Sequence, residues 1–230
     1  MKRSLSQANI TKDPLHSNGY MHLKNVIDIP DNVMNEIIAQ SNKRATIIFN
    51  HHQNRPKNDN KRKQVTISTK KSLMNDFIKN INNYLTKNVN SNLTISKWVS
   101  IYSLPGCGEQ AAHCDYTPSD ITANINDELI PLGVLVAIMP DTKINVWPQS
   151  NEIHKYKKAG ARKIGKVTIN MEPGDIFIFR GDTVHAGSNY THSNYRLHAY
   201  MDSPLVLRSP NRTWLINKHA DDFIKNMIIV

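Results

Sequence analysis

The spacing of apolar positions along the chain changes character near Trp98. Upstream, apolar residues recur mostly at helical intervals. Pro30 and Asp31 open a segment in which Val33, Ile37 and Ile38 share one helix face, with proline ahead of a first-turn acid as helix starts favour. Ser72 stands in an N-cap position before Leu73, Phe77, Ile81 and Leu85, an i, i+4 stripe. Asn18-Gly19 marks a turn and Tyr20–Ile27 alternates like a short strand. His51–Lys63 is polar, contains Pro56 and has no apolar period, so it reads as a loop. The N-terminal part is therefore expected to be mostly helical.

From Trp98 onward the period is two. Trp98–Leu104 forms one strand that Pro105-Gly106 ends, and Leu132–Met139 is a nearly continuous apolar run, the pattern of a strand buried on both faces. Lys143–Trp147, Lys166–Met171, Ile176–Phe179, Val184-His185 and Tyr195–Met201 follow, separated by Pro140-Asp141-Thr142, Pro148, Pro173-Gly174-Asp175 and Arg180-Gly181-Asp182. Many short strands at this spacing predict an all-β sandwich or jelly roll. Asp221–Val230 is expected to close the chain as a short helix. With no internal repeat and no Gly/Ser or Pro linker, one domain is expected: a helical part over residues 1–97, a β core over 98–204 and an extension over 205–230.

Composition narrows the classes. A chain of 230 residues, 39% hydrophobic and 21% charged, suffices for one well-buried core and is unlike a disordered chain. Nothing approaches 18 consecutive apolar residues, so no membrane span is expected. The two basic residues near the N-terminus lead into no apolar stretch of the secretory type, and two cysteines make no disulfide scaffold. An intracellular setting, cytoplasmic or nuclear, is the expectation. The net charge of +10 is unevenly placed: residues 1–100 hold 16 basic and 6 acidic side chains, residues 101–230 hold 13 of each. The excess, densest across Lys43–Lys71, fits either an acidic partner such as nucleic acid or a solvated loop.

His113-Cys114-Asp115 is the first candidate for chemistry, because residues i and i+2 of a strand face the same way. Alone the pattern means little: about half an HxD is expected by chance in such a chain, and His219-Ala220-Asp221, in a helical context, is assigned to the surface. Its value comes from His185, 72 residues on at a strand end, and from Arg196, 11 residues later on the last strand. Two imidazoles and a carboxylate on a rigid β scaffold make a facial triad that leaves metal positions open, which suits non-haem Fe(II). An inward arginine offers a planar fork for a carboxylate.

Histidine-x-aspartate, a distant histidine and an arginine spread over short strands resemble the Fe(II)/2-oxoglutarate-dependent oxygenase superfamily. The words around them are similar to its phytanoyl-CoA-dioxygenase-like branch: Leu104-Pro105-Gly106-Cys107 with Gln110, Trp147-Pro148-Gln149-Ser150, Pro173-Gly174-Asp175, and Gly181-Asp182-Thr183-Val184-His185-Ala186-Gly187. The likeness covers roughly residues 98–204, more weakly Asn18–Ile29. It implies a double-stranded β-helix, with Fe(II) on His113, Asp115 and His185, 2-oxoglutarate held by Arg196, and oxygen as third reactant. The implied activity is hydroxylation of a protein side chain or small molecule, with release of succinate and CO2.

The chain departs from the family where relatives carry a small hydroxyl residue two after the arginine; here His198 stands there, either replacing that hydrogen bond or sitting in the core. It also has Gln149-Ser150-Asn151 where the usual word ends in histidine. Tyr102 could reach the cosubstrate or be a core tyrosine, and Gln110, Tyr116 and Trp147 are candidates for a substrate pocket. Neither Cys107 nor Cys114 is expected to be a ligand, since Cys114 points away from its neighbours' face. Two other readings are an oxygenase acting on nucleic acid through the basic half, and a non-enzymatic basic binding module on an inactive β scaffold. Zinc hydrolysis would leave Arg196 without a task. Substrate identity and oligomeric state are not encoded in these patterns.

Overall fold

A computed structural model of the chain describes residues 13–43, 45–48, 59–116, 121, 126–151, 162–206, 214–215 and 227–229. Its elements in chain order are α1 (Asp13–Ser17), β1 (Tyr20–Leu23), α2 (Asp31–Lys43), β2 (Thr46–Ile47), β3 (Arg62–Thr66), α3 (Ser72–Asn88), β4 (Thr94–Ile95), β5 (Val99–Ser103) and β6 (His113–Cys114). Then come β7 (Leu132–Ala137), β8 (Thr142–Val146), β9 (Arg162–Ile164), β10 (Val167–Met171), β11 (Ile176–Arg180), β12 (His185–Gly187), β13 (Asn194–Asp202), β14 (Trp214–Leu215) and β15 (Met227–Ile229).

The strands form two main sheets, an antiparallel jelly-roll or double-stranded β-helix core. The larger runs β1-β11-β7-β13-β5-β3-β2, with β4 paired to the far part of β13; the smaller runs β10-β8-β12-β6-β14. β7 shows why its sequence is apolar throughout. Val134 and Val136 face the helices with Ile176, Ile178, Leu197 and Ala199, while Leu135 and Ala137 face the other sheet with Ile144, Val146, Phe177 and Phe179. α2 and α3 cover the outer face, burying Val33 and Ile37 from one and Met74, Phe77, Ile78, Ile81 and Leu85 from the other. Each set recurs at three- and four-residue steps, so one stripe of each helix is dry. Between the sheets lies the second core. Among the described residues no helix is long and apolar enough to cross a membrane.

The N-terminal part carries α1, α2 and α3, and it also adds β1, β2, β3 and β4 to the larger sheet. Three expectations require correction. The loop expected over His51–Lys63 ends early, because Arg62 and Lys63 begin β3, while residues 51–58 lie outside the described part. β3 reads as polar because its inward face carries Arg62 and Gln64 instead of apolar residues. At the C-terminus Met227–Ile229 is a strand, paired in parallel with β9, where a helix was expected; residues 221–226 and 230 lie outside the described part, as does His219-Ala220-Asp221. Ser72 is the first helical residue of α3, and Lys71 takes the N-cap position without a side-chain hydrogen bond.

Gly133 ties the fold to the site. It pairs with Phe179 across β7 and β11, and a Cβ there would fall 2.2, 2.5 and 2.7 Å from three ring atoms of Phe179. That ring packs on His185 with centroids 4.3 Å apart. Gly133→Ala is expected to cost about 1–3 kcal/mol through overpacking, seen as a lower denaturation midpoint, and to disturb metal binding by displacing the ring beside His185.

Candidate metal centre

β6 and β12 are neighbours in the smaller sheet, and their register sets His185 directly opposite His113. Paired residues on antiparallel strands project from the same face, so the two imidazoles meet with ring centroids 4.4 Å apart. Asp115 lies just past the end of β6, where its backbone N–H donates to the Gly181 carbonyl at 3.1 Å. Its Oδ2 comes to 3.7 Å from His185 Nε2. One ligand atom each from His113, Asp115 and His185 lies within 4.8 Å of the others. The residues expected from the sequence thus converge.

The protonation of the imidazoles suits metal binding. His113 Nδ1 lies 2.7 Å from the Ala111 carbonyl and His185 Nδ1 3.0 Å from the Thr183 carbonyl. A carbonyl oxygen can only accept, so in the neutral ring each Nδ1 carries the proton and each Nε2 keeps its lone pair. Burial keeps both rings neutral: desolvation, then the nearby His185, push the His113 pKa down to about 3. Desolvation pushes His185 down to about 4, against the opposing effect of its bond to Thr183. Two neutral nitrogens and one carboxylate are the donor set of a facial triad with open positions.

The surroundings hold β12 in place. Gln110 accepts from the Gly187 N–H through Oε1 at 2.8 Å and donates its own N–H to the Gly187 carbonyl at 2.9 Å. Ser150 Oγ accepts from the Val184 N–H at 2.8 Å, and the Trp147 N–H donates to the Val184 carbonyl at 3.0 Å. The Trp-Pro-Gln-Ser word is therefore a clamp on the chain next to His185, with Trp147 itself buried. Ahead of His185, Arg180 and Asp182 form a buried two-pronged pair at 3.0 and 2.8 Å. Tyr116 is buried against Ile121, Ile130 and Val206, with its hydroxyl donating to Asp202. Cys114 is turned from the triad, its thiol on the Asp182 carbonyl at 3.3 Å, and neither cysteine belongs to the metal-ligand group.

Arg196 lies on β13 facing the interior between the sheets. It is buried, donates through Nη1 to Ser103 Oγ at 3.2 Å, and lies over the Tyr190 ring at 5.3 Å. His198 shares its face, its ring edge-on to Tyr200 at 4.7 Å and 6.4 Å from Phe179. Tyr102 does not. It pairs with Tyr195, one position off the Arg196–Ile101 pair, so it projects to the opposite face. There its ring stacks on Tyr195 at 5.3 Å, and the candidate contact between Tyr102 and a cosubstrate held by Arg196 is corrected accordingly. Sequence reasoning missed Arg62 and Ser103, which meet Arg196 at the Ser103 hydroxyl; Arg62 lay hidden in a segment read as a loop. The one available signal was the alternation Arg62-x-Gln64-x-Thr66.

No protein-family model matches the chain, and no curated protein matches it in sequence. Solved structures share its fold. The non-haem alpha-ketoglutarate-dependent epimerase SnoN from nogalamycin biosynthesis is 17% identical with a TM-score of 0.57, over 83% of this chain and 81% of that one. The carbocyclase SnoK from the same biosynthesis is 14% identical with a TM-score of 0.59, over 84% and 85%. A prolyl hydroxylase from Trichoplax adhaerens, solved with a hypoxia-inducible-factor peptide fragment, is 14% identical with a TM-score of 0.57, over 85% and 88%. SnoN has also been solved with Fe3+, alpha-ketoglutarate and nogalamycin RO.

Proposed function

We propose that this protein is an Fe(II)- and 2-oxoglutarate-dependent oxygenase, a hydroxylase of a protein side chain or small molecule, working as a single domain. The observation that carries the reading is the convergence of His113, Asp115 and His185 with both Nε2 lone pairs free of protons. Zinc would accept the same donors. The buried guanidinium of Arg196 in the same interior, and the shared fold, favour iron with a dicarboxylate partner. The motif words from Leu104 to Gly187 support the phytanoyl-CoA-dioxygenase-like branch. The peptide and the nogalamycin RO in the neighbours' structures support a protein or small-molecule substrate.

In this reading His113, Asp115 and His185 hold Fe(II), and Arg196 receives the distal carboxylate of 2-oxoglutarate. The metal, 2-oxoglutarate and oxygen together would supply oxidative decarboxylation to succinate and CO2, with oxidation of a substrate C–H bond. The chain's own work is orientation. Ala111 and Thr183 fix the imidazole tautomers, Gln110 and Ser150 fix β12, and Phe179 dries one side of His185.

The test needs no substrate. Anaerobically purified protein given Fe(II), ascorbate, 2-oxoglutarate and air is expected to form succinate slowly through uncoupled turnover, and His185→Ala is expected to form none. No succinate, together with no metal-dependent binding of 2-oxoglutarate, would overturn the proposal.

A further inference from the structure

Arg62 is fully buried, an unusual place for a cation. It begins β3, where it pairs with Ser103 of β5, and Ser103 shares a face with Ile101, the partner of Arg196. Both arginines therefore project into the same interior. The Ser103 hydroxyl joins them: Arg62 Nε lies 3.4 Å and Arg196 Nη1 3.2 Å from its oxygen. Arg62 Nη2 also donates to the carbonyls of Gly108 at 3.1 Å and Ser188 at 2.5 Å, which anchors the side chain. Its Nη1 occupies room left by a missing side chain, since a Cβ on Gly187 would stand 2.8 Å from it. Gly187 is two residues beyond His185 on the same strand, so the guanidinium extends from Arg196 toward the metal centre.

From this juxtaposition we infer that Arg62 is a second carboxylate-binding residue, gripping the distal carboxylate of 2-oxoglutarate together with Arg196. The inference rests on the function proposed above. Two guanidiniums meeting at one hydroxyl in a dry interior repel each other, and an anion received by both converts that repulsion into attraction. A carboxylate offers about four lone-pair sites, enough for two donors from different arginines. The arrangement selects a keto acid with a second carboxylate over one ending in a methyl group.

The test is binding, read by calorimetry without oxygen, with Mn(II) in place of Fe(II). The probes are 2-oxoglutarate and 2-oxopentanoate, which has the same chain length but no distal carboxylate. Arg62→Met is expected to weaken 2-oxoglutarate on the order of 30-fold while leaving 2-oxopentanoate and Mn(II) within about two-fold. Arg62→Lys keeps the buried charge should the methionine variant fail to fold, and is expected to lose about 10-fold for 2-oxoglutarate alone. If Arg62 only braces the Gly108 and Ser188 loops, its variants will weaken both keto acids equally, or neither, and the inference falls while the oxygenase reading stands. If the unmodified protein binds no 2-oxoglutarate in the presence of metal, both fall.

Discussion

Asp115→Ala is expected to abolish succinate formation and to lower Mn(II) or Fe(II) affinity by at least about 100-fold, with the chain still folded. The expectation follows from how the three ligands divide the work. The imidazoles of His113 and His185 are neutral donors held by the Ala111 and Thr183 carbonyls, so only Asp115 offsets the charge of a divalent ion. Two neutral nitrogens remain after its loss, and the ion keeps most of its water. Folding should not suffer. In the metal-free chain Asp115 is a nearly buried carboxylate 3.7 Å from His185, and desolvation of that carboxylate opposes folding. The thermal midpoint without metal should therefore be unchanged or higher, while the rise on adding Mn(II) disappears. Succinate at the original rate in this variant would move the metal centre elsewhere. A collapsed midpoint without metal would mean that the carboxylate serves the fold and not a ligand.

How much of this could be read from the chain depended on whether a residue's environment was apolar. β7, β11 and β13 announce themselves because both of their faces are dry, as the run from Leu132 to Ala137 shows. The triad was legible for a related reason: the strand period puts His113 and Asp115 together, and the turn before His185 is marked by glycine and aspartate. β3 was not legible. Its interior face carries Arg62 and Gln64 at positions where a strand normally shows Val or Leu, so the pattern resembles a loop. The misplacement of Tyr102 has a different source. Periodicity within β5 shows that Tyr102 and Ser103 face opposite ways, but which face looks inward is set by the register with β13, and register is a property of the pair. β15 escaped because its partner is distant in sequence.

Register also places Arg196 opposite Ile101 and therefore inside. Arg196→Ala is expected to raise the 2-oxoglutarate concentration for half-maximal succinate formation on the order of 100-fold, with a much smaller change at saturation. A guanidinium that holds the far end of the cosubstrate contributes equally before and during the reaction, so its loss appears in KM and spares kcat. Metal affinity should be unchanged, because Arg196 bonds Ser103 and stacks on Tyr190 and is not among the metal-ligand group. The variant also gauges the neighbouring charge: with Arg196 gone, Arg62 still reaches Ser103, so residual binding should persist and should vanish in Arg62→Met/Arg196→Ala. The two losses should not add, since both arginines are assigned one carboxylate. An unchanged requirement for 2-oxoglutarate in Arg196→Ala would remove the arginine from the binding site, and would leave its burial over Tyr190 as packing alone.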